Sequence, residues 1–336
     1  MTITFLNVGY GEAILVECPD AGHPQGTFVM LIDGGSGEAE EFPPELPERA
    51  PLIKELERRG LDHIDVMIST HIHEDHVCGL LPVAKGFPPR ELWQVHEAAL
   101  ARQLPSLPQM ELAHPSRRKF ARAREDWRKL SIQTEGRGTK IRKLTAGDCL
   151  TPCAGLKVRV LSPSWERAET LAQTMTELFY TREPELFLER LTALDGAMNN
   201  YSLVLSLEYR GARALLPGDT NAAGYGEIPR ALLTADLFKV GHHGQRDGAN
   251  PELLAAIRPA AVVCCASSDR RYHSADPELL RMIAASGARL YFSDCPPVPE
   301  GIPAPPPHRA LQIRLDGTTL QSLYFTREGE IVDEKI

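Results

Sequence analysis

Three histidines and an aspartate fall within six positions, in the run His71-Ile72-His73-Glu74-Asp75-His76. Imidazole nitrogens and a carboxylate oxygen form a donor set that suits Zn²⁺, Mn²⁺ or Fe²⁺. In an extended segment, side chains two residues apart point the same way. His71 and His73 are therefore placed to chelate one ion, while Asp75 and His76, beyond a turn, face a second. Just upstream, Ile64-Asp65-Val66-Met67-Ile68 is rich in β-branched and apolar residues. It predicts a buried strand ending at Thr70, with the histidines on the turn that follows.

The same arrangement, a polar ligand type where an apolar strand stops, recurs along the chain. Phe28-Val29-Met30-Leu31-Ile32 leads into Asp33-Gly34-Gly35, and the strand from Arg213 ends in Gly218-Asp219. Leu237-Phe238-Lys239-Val240-Gly241 runs into His242-His243-Gly244. Two cations about 3.5–4 Å apart need a carboxylate between them, and Asp219 is the natural candidate. The second ion needs an imidazole besides Asp75 and His76, which either member of the His242-His243 pair can supply. The reading takes His242 as the ligand and leaves His243 to contact a substrate oxygen. Asp33 is expected behind the ligands, orienting a histidine through its other ring nitrogen.

Strands and helices must hold these residues at one edge. Thr2 to Val8 and Ala13 to Glu17 read as strands around a Gly9-Tyr10-Gly11 turn. Pro51 to Gly60 is a short amphipathic helix, with proline in its first turn and glycine at its end, that feeds the strand before the motif. From about Leu81 to Met198 the chain changes character. Prolines cluster at Pro82, Pro88, Pro89, Pro105, Pro108 and Pro115, followed by a basic stretch from Arg117 to Arg124. That stretch reads either as a solvated helix face or as a backbone-binding surface with Phe120 and Trp127 as stacking platforms. Leu144 to Leu161 predicts two strands turning at Ala154-Gly155, and Glu166 to Leu194 predicts helix. Strands alternate with helices again from Asn199, and Leu311 to Phe325 reads as a closing hairpin. Asn250-Pro251 and Asp276-Pro277 each place a cap residue before a proline at the start of a helix.

Composition excludes several classes. Of 336 residues, 43% are hydrophobic, enough for a large core. No apolar run is long enough to span a bilayer as a helix, and the opening residues read as a strand rather than a leader, so no membrane association is expected. Seven cysteines, two of them adjacent at Cys264-Cys265, read as reduced thiols and point to the cytoplasm. A net charge of −8 argues against non-specific coating of nucleic acid, though not against an enzyme that grips one phosphodiester locally.

The motifs, taken in order, carry a resemblance. Phe5 to Leu15, Leu31 to Gly35, the complete H-x-H-x-D-H run, Asn199 to Val204, Leu215 to Asp219 and Phe238 to Gly244 together resemble the β-lactamase-type hydrolase domain of ComEC-type competence proteins. These belong to the metallo-β-lactamase superfamily. The resemblance covers roughly residues 1–82 and 199–295. It implies an α/β fold, the αβ/βα four-layer sandwich, as a single domain over 1–336 with a mainly helical insertion at about 83–198. It implies a hydrolase with two divalent ions, zinc or else manganese or iron, that attacks a phosphodiester with a metal-bound hydroxide. Asp75 would then hold the water's proton, while His243 and His273, the latter lying where relatives carry a histidine, would donate to the transition state.

There are departures from the family pattern. Asn7 and Glu12 stand where relatives usually carry Asp, and Gln245 stands for a usual Ser. Where the superfamily normally completes its first metal site with a histidine, this chain has Asn199-Asn200. The first ion would then rest on His71, His73 and Asp219, with Asn199 or Asn200 beside it, or with His96 or His114 substituting from the insertion. Such a site would be labile and would favour Mn²⁺. Two other functions share these residues: hydrolysis of a carboxylic ester, lactone or thioester, and a non-enzymatic metal-binding or partner-binding module.

Overall fold

The computed structural model describes residues 1–105, 114–317, 319–327 and 329–332, the side chains of the last three excepted. Pro108 of the proline cluster lies outside them.

The chain lays down one sheet, then a second, and returns to the first. β1 (Thr2–Leu6), β2 (Ile14–Pro19) and β3 (Thr27–Ile32) are antiparallel neighbours. β4 (Val66–Ile68), β5 (Glu91–Gln94) and β6 (Lys140–Lys143) add in parallel. The second sheet begins with β7 (Cys149–Cys153), β8 (Leu156–Ser162), β9 (Val204–Tyr209) and β10 (Ala212–Leu216), all antiparallel. β11 (Leu237–Lys239), β12 (Ala261–Cys264) and β13 (Arg289–Phe292) extend it in parallel. β14 (Ala310–Asp316), β15 (Thr319–Phe325) and β16 (Glu330–Val332) close the first sheet, β14 pairing with β1.

Side chains alternate between two cores with the pleat, and strands covered on both faces are buried along their length. Along β12, Ala261 and Val263 belong to the core shared by the two sheets, while Val262 and Cys264 belong to a second cluster. That second cluster is completed by α8 (Pro251–Ile257) and α9 (Pro277–Ala285) on the outer face. Across the first sheet, α1 (Leu52–Arg58), α2 (Glu74–Val77) and α3 (Leu80–Gly86) follow β3 and β4. The result is the helix–sheet–sheet–helix sandwich of the metallo-β-lactamase fold, an α/β architecture.

Residues 83–198 differ from a simple insertion. β5 to β8 all lie in this stretch and all join the two sheets. What stands outside the sheets is α4 (Ala98–Gln103), α5 (Pro115–Glu135), α6 (Trp165–Tyr180) and α7 (Pro184–Ala197). The predicted helix over 166–194 is thus two helices, divided where Pro184 starts the second. The stacking platforms are corrected as well. Trp127 is 1% exposed and donates its Nε1–H to Gln94 Oε1 at 3.0 Å, so it is core. Phe120 is 3% exposed and packs edge-on against His73. The hydrophobic face of α5 turns inward because burying two large rings outweighs exposing them to solvent. No helix among the described residues is long and apolar enough to cross a membrane.

Candidate metal centre

The polar ends of β3, β4, β10 and β11 meet at one rim. The loop after β3 and the histidine motif are stitched by Gly34 N–H to His76 O at 2.7 Å and Gly79 N–H to Gly35 O at 3.0 Å. Any side chain on Gly79 would place a Cβ 1.9 Å from Gly34 O, so only glycine permits this approach. Gly241 plays the same part on the other side, its hypothetical Cβ falling 1.9 Å from Thr220 O beyond β10.

Four side chains converge there: Asp75, His76, Asp219 and His243. His243 Nε2 lies 2.8 Å from Asp219 Oδ2, 3.0 Å from Asp75 Oδ2 and 3.3 Å from His76 Nε2. His76 Nε2 lies 3.2 Å from Asp219 Oδ2 and 3.8 Å from Asp75 Oδ2. Ligands at about 2.1 Å around a tetrahedral ion stand about 3.4 Å apart, and these separations bracket that value. The cluster therefore fits a divalent cation in both donor type and spacing. A second convergence adjoins it, His71 Nε2 standing 3.1 Å from His73 Nδ1.

Each of the four rings commits its other nitrogen to a partner behind it. His76 Nδ1 meets Asp33 Oδ2 at 2.8 Å, and Asp33 also accepts from the backbone and hydroxyl of Thr70. His243 Nδ1 donates to Cys265 O at 2.9 Å. His71 Nδ1 is 3.1 Å from Thr70 Oγ1, and His73 Nε2 is 3.2 Å from Asp195 Oδ1. Such outer partners fix tautomer and ring orientation, leaving the inward lone pairs for a metal.

Electrostatics follow from this crowding. Burial opposes charge on every group. Even so, Asp219 and Asp75 carry His243 up to about 9, and three carboxylates lift His76 well above its usual range. Burial would raise both acids, but the cationic rings hold Asp75 and Asp219 below theirs. His71, buried beside two other histidines, is pushed well below the usual imidazole range.

Not every expected residue arrives at the cluster. His242 turns outward, its Nδ1 2.8 Å from Asp247 Oδ1, and reaches only the wall of the pocket, so His243 occupies the position expected of it. Both residues have φ near +50°, a left-handed turn that carries His243 into the cluster and His242 to the pocket wall. His273 is exposed, and its neighbour Tyr272 lines the pocket instead, edge-on to Tyr10 at 5.1 Å. Asn199 reaches the pocket with its Oδ1 buried and without a hydrogen-bond partner among the described residues. Asn200 faces away, accepting from Asn221 N–H and Arg167. His96 stacks edge-on against Trp127 and His114 caps α5 from an exposed position, so neither joins the cluster.

Sequence reasoning missed a buried cation. Lys239, fully enclosed on β11, forms ion pairs with Glu12 and with Asp219 Oδ1, the latter at 3.2 Å. Burial would lower its pKa, but the two acids raise it beyond the usual lysine range. A single charge inside the apolar run Leu237–Val240 was the available signal, because an enclosed lysine requires acidic partners. Asp195 and Tyr10 were also missed, whereas Lys119 belongs to the basic stretch read either as a solvated face or as a backbone-binding surface, and it does line the pocket. Asp195 comes from a helix whose sequence gives no hint of where it docks. A second group, His23, His63 and Asp65, lies away from this rim, and its carboxylate is already taken up by Val29 N–H and Arg90.

A family model, a curated protein and solved structures are similar to this chain. The model of the metallo-beta-lactamase superfamily matches residues 6–155. ComE operon protein 3 of Bacillus subtilis (strain 168) is 23% identical over 301 residues, which cover 87% of this chain and 32% of that protein. The chain thus spans about a third of that relative's length. Zn(2+)-bound PqqB from Methylobacterium extorquens is similar at 14% identity and a TM-score of 0.46, covering 87% of this chain and 97% of that one. Human tRNase Z, short form, is similar at 14% identity and a TM-score of 0.36, covering 78% and 91%. The complete H-x-H-x-D-H run, placed at the rim of a two-sheet sandwich, lies within the residues that match the metallo-beta-lactamase superfamily.

Proposed function

We propose that this chain is a dinuclear metal-dependent phosphodiesterase. The observation that carries the metal reading is that four histidine rings each have one nitrogen held from behind and the other aimed inward. Asp75, His76, Asp219 and His243 would hold one ion. His71 and His73 would hold the other, with Asp219 shared and the Asn199 carbonyl oxygen at hand. Bound there, divalent ions supply Lewis-acid charge and acidify water.

The remaining residues favour an anionic substrate. A pocket of about 310 Å³ opens over the cluster, lined in part by Lys119, Tyr10, Tyr272 and Gln245. The Lys119 ammonium, 6.0 Å from the Tyr272 ring centroid, adds positive charge at the wall where a phosphate would lie. Burial, with Asp75 and Asp219 nearby, pushes the Tyr10 phenol well above its usual range, so it stays a neutral donor. Asp75, 15% exposed at its side chain, is the carboxylate placed to take a proton from an attacking water. His242 at the wall takes the substrate-contacting part first assigned to His243.

The test is metal content by mass spectrometry on protein purified without chelator, together with turnover of bis-p-nitrophenyl phosphate, single-stranded DNA and an acyl ester. About two equivalents of metal with metal-restored phosphodiester cleavage is the expected result. Turnover confined to the acyl ester would replace the substrate class while keeping the site. Absence of metal and of turnover after reconstitution would favour a binding module.

A further inference from the structure

We infer that Asp195, carried by a helix outside the two sheets, is a positioning residue that sets the metal-facing tautomer of His73. This rests on the metal-binding reading above.

The His73 ring is gripped from the helical side of the pocket. Its Nε2 lies 3.2 Å from both Asp195 Oδ1 and the Asp195 carbonyl oxygen. Asp195 is itself fixed, Oδ2 accepting from Ser116 Oγ at 2.6 Å, which ties α7 to the start of α5. Phe120 of α5 packs against the same imidazole, ring centroids 5.9 Å apart at 74°. With two oxygen acceptors on Nε2, the proton resides there, and the Nδ1 lone pair is left pointing at His71 Nε2, 3.1 Å away. Asp195 also sits one helical turn before Asn199, so one segment delivers both groups to the outer part of the centre.

The other three rings take their outer partners from the sheet rim: Thr70, Asp33 and Cys265. His73 is 18% exposed at its side chain and Asp195 20%, whereas His76 and His243 are fully enclosed. A ring with that much freedom depends on its outer partner to keep one orientation. Removing such a partner typically weakens metal affinity by about 10–100-fold.

The test is Co²⁺ titration of chelator-stripped protein, followed by its visible absorption, with phosphodiester kcat and KM measured alongside. In Asp195→Ala the weaker of two equivalents should lose about 10–100-fold in affinity, with the tighter one unchanged. Asp195→Asn keeps an oxygen acceptor and should recover most of the loss, while Ser116→Ala should show a smaller version of it. The loss should appear in kcat at low metal and be relieved by excess Co²⁺, with KM nearly constant. Two normal equivalents in Asp195→Ala would overturn the inference. So would complete loss of the weaker equivalent in Asp195→Asn, which would make Asp195 a ligand. Failure of the unsubstituted protein to bind Co²⁺ at all would instead overturn the underlying metal reading.

Discussion

The two parts of the candidate metal centre are built in different ways. The inner cluster is built from Asp75 and His76 of α2 and from Asp219 and His243 just past β10 and β11, and both of its histidines are fully buried. Its charges are balanced by groups of the same core, Asp33 behind His76 and the Lys239–Glu12 pair behind Asp219. The outer pair, His71 and His73, starts from the same β4 turn, but its solvent-facing ring is finished by α5 and α7. The sheet rim thus supplies every partner of one cluster, while helices outside the sheets complete its neighbour. A fold can keep its chemistry and alter affinity or access by changing only those helices.

Substitutions can break this contrast. The largest effect should come from Asp219→Ala or His76→Ala, each expected to reduce phosphodiester turnover to background and to remove metal from the protein, read by mass spectrometry. Retention of full activity in either would discard the shared-carboxylate scheme. Lys239→Met comes next. It leaves Glu12 and Asp219 buried without their cation, which should cost about 3–5 kcal/mol in urea unfolding of the metal-free protein. A midpoint equal to the unsubstituted protein's would show that the pair contributes nothing to the rim.

A pH effect should sharpen the contrast. His243 sits at about 9 in the folded metal-free chain, against about 6.5 for an unfolded histidine. A raised folded pKa gives stability that is complete below about pH 6.5 and disappears as pH climbs through about 9. The melting temperature of chelated protein should therefore fall between those values, and the fall should shrink in His243→Gln. The same protons must leave when metal binds, so adding Zn²⁺ at pH 7 should release acid, measurable in a weakly buffered solution.

The smallest effect is expected at the pocket wall. Lys119→Ala should raise KM for a phosphodiester by about tenfold, the worth of one charged contact, with acyl-ester hydrolysis and metal content unchanged. An equal loss on both substrates would remove Lys119 from phosphate recognition.

How far the sequence reached depended on how local each signal was. β3, β4 and β10 to β13 were legible because continuous apolar runs mark strands buried on both faces. The helices after Asn250 and Asp276 were legible because both cap side chains accept from the following backbone N–H groups. The 83–198 stretch was read only in part. The hairpin turning at Ala154-Gly155 is there as β7 and β8. β5 and β6 were not read, because they are four residues each and their membership of the first sheet depends on parallel pairing with distant strands. Trp127 in a basic helix was ambiguous for the same reason, since only docking against Gln94 decides which face of α5 is buried.

By itself the sequence determined that a turn rich in histidine and aspartate follows a buried strand, and that Asp33 and Asp219 each follow an apolar strand. Spacing along an extended chain is a covalent constraint, and it survives without knowledge of the rest. The tertiary structure alone decided between His242 and His243. Alternation along a strand says that they face opposite ways but not which way is inward. That choice is made by a left-handed turn after Gly241, pressed against Thr220 of another loop. It also decided that Asp195, 122 residues from His73 in the chain, comes to rest on that ring. Contacts so distant in sequence are set by how whole elements dock, and no local pattern encodes them.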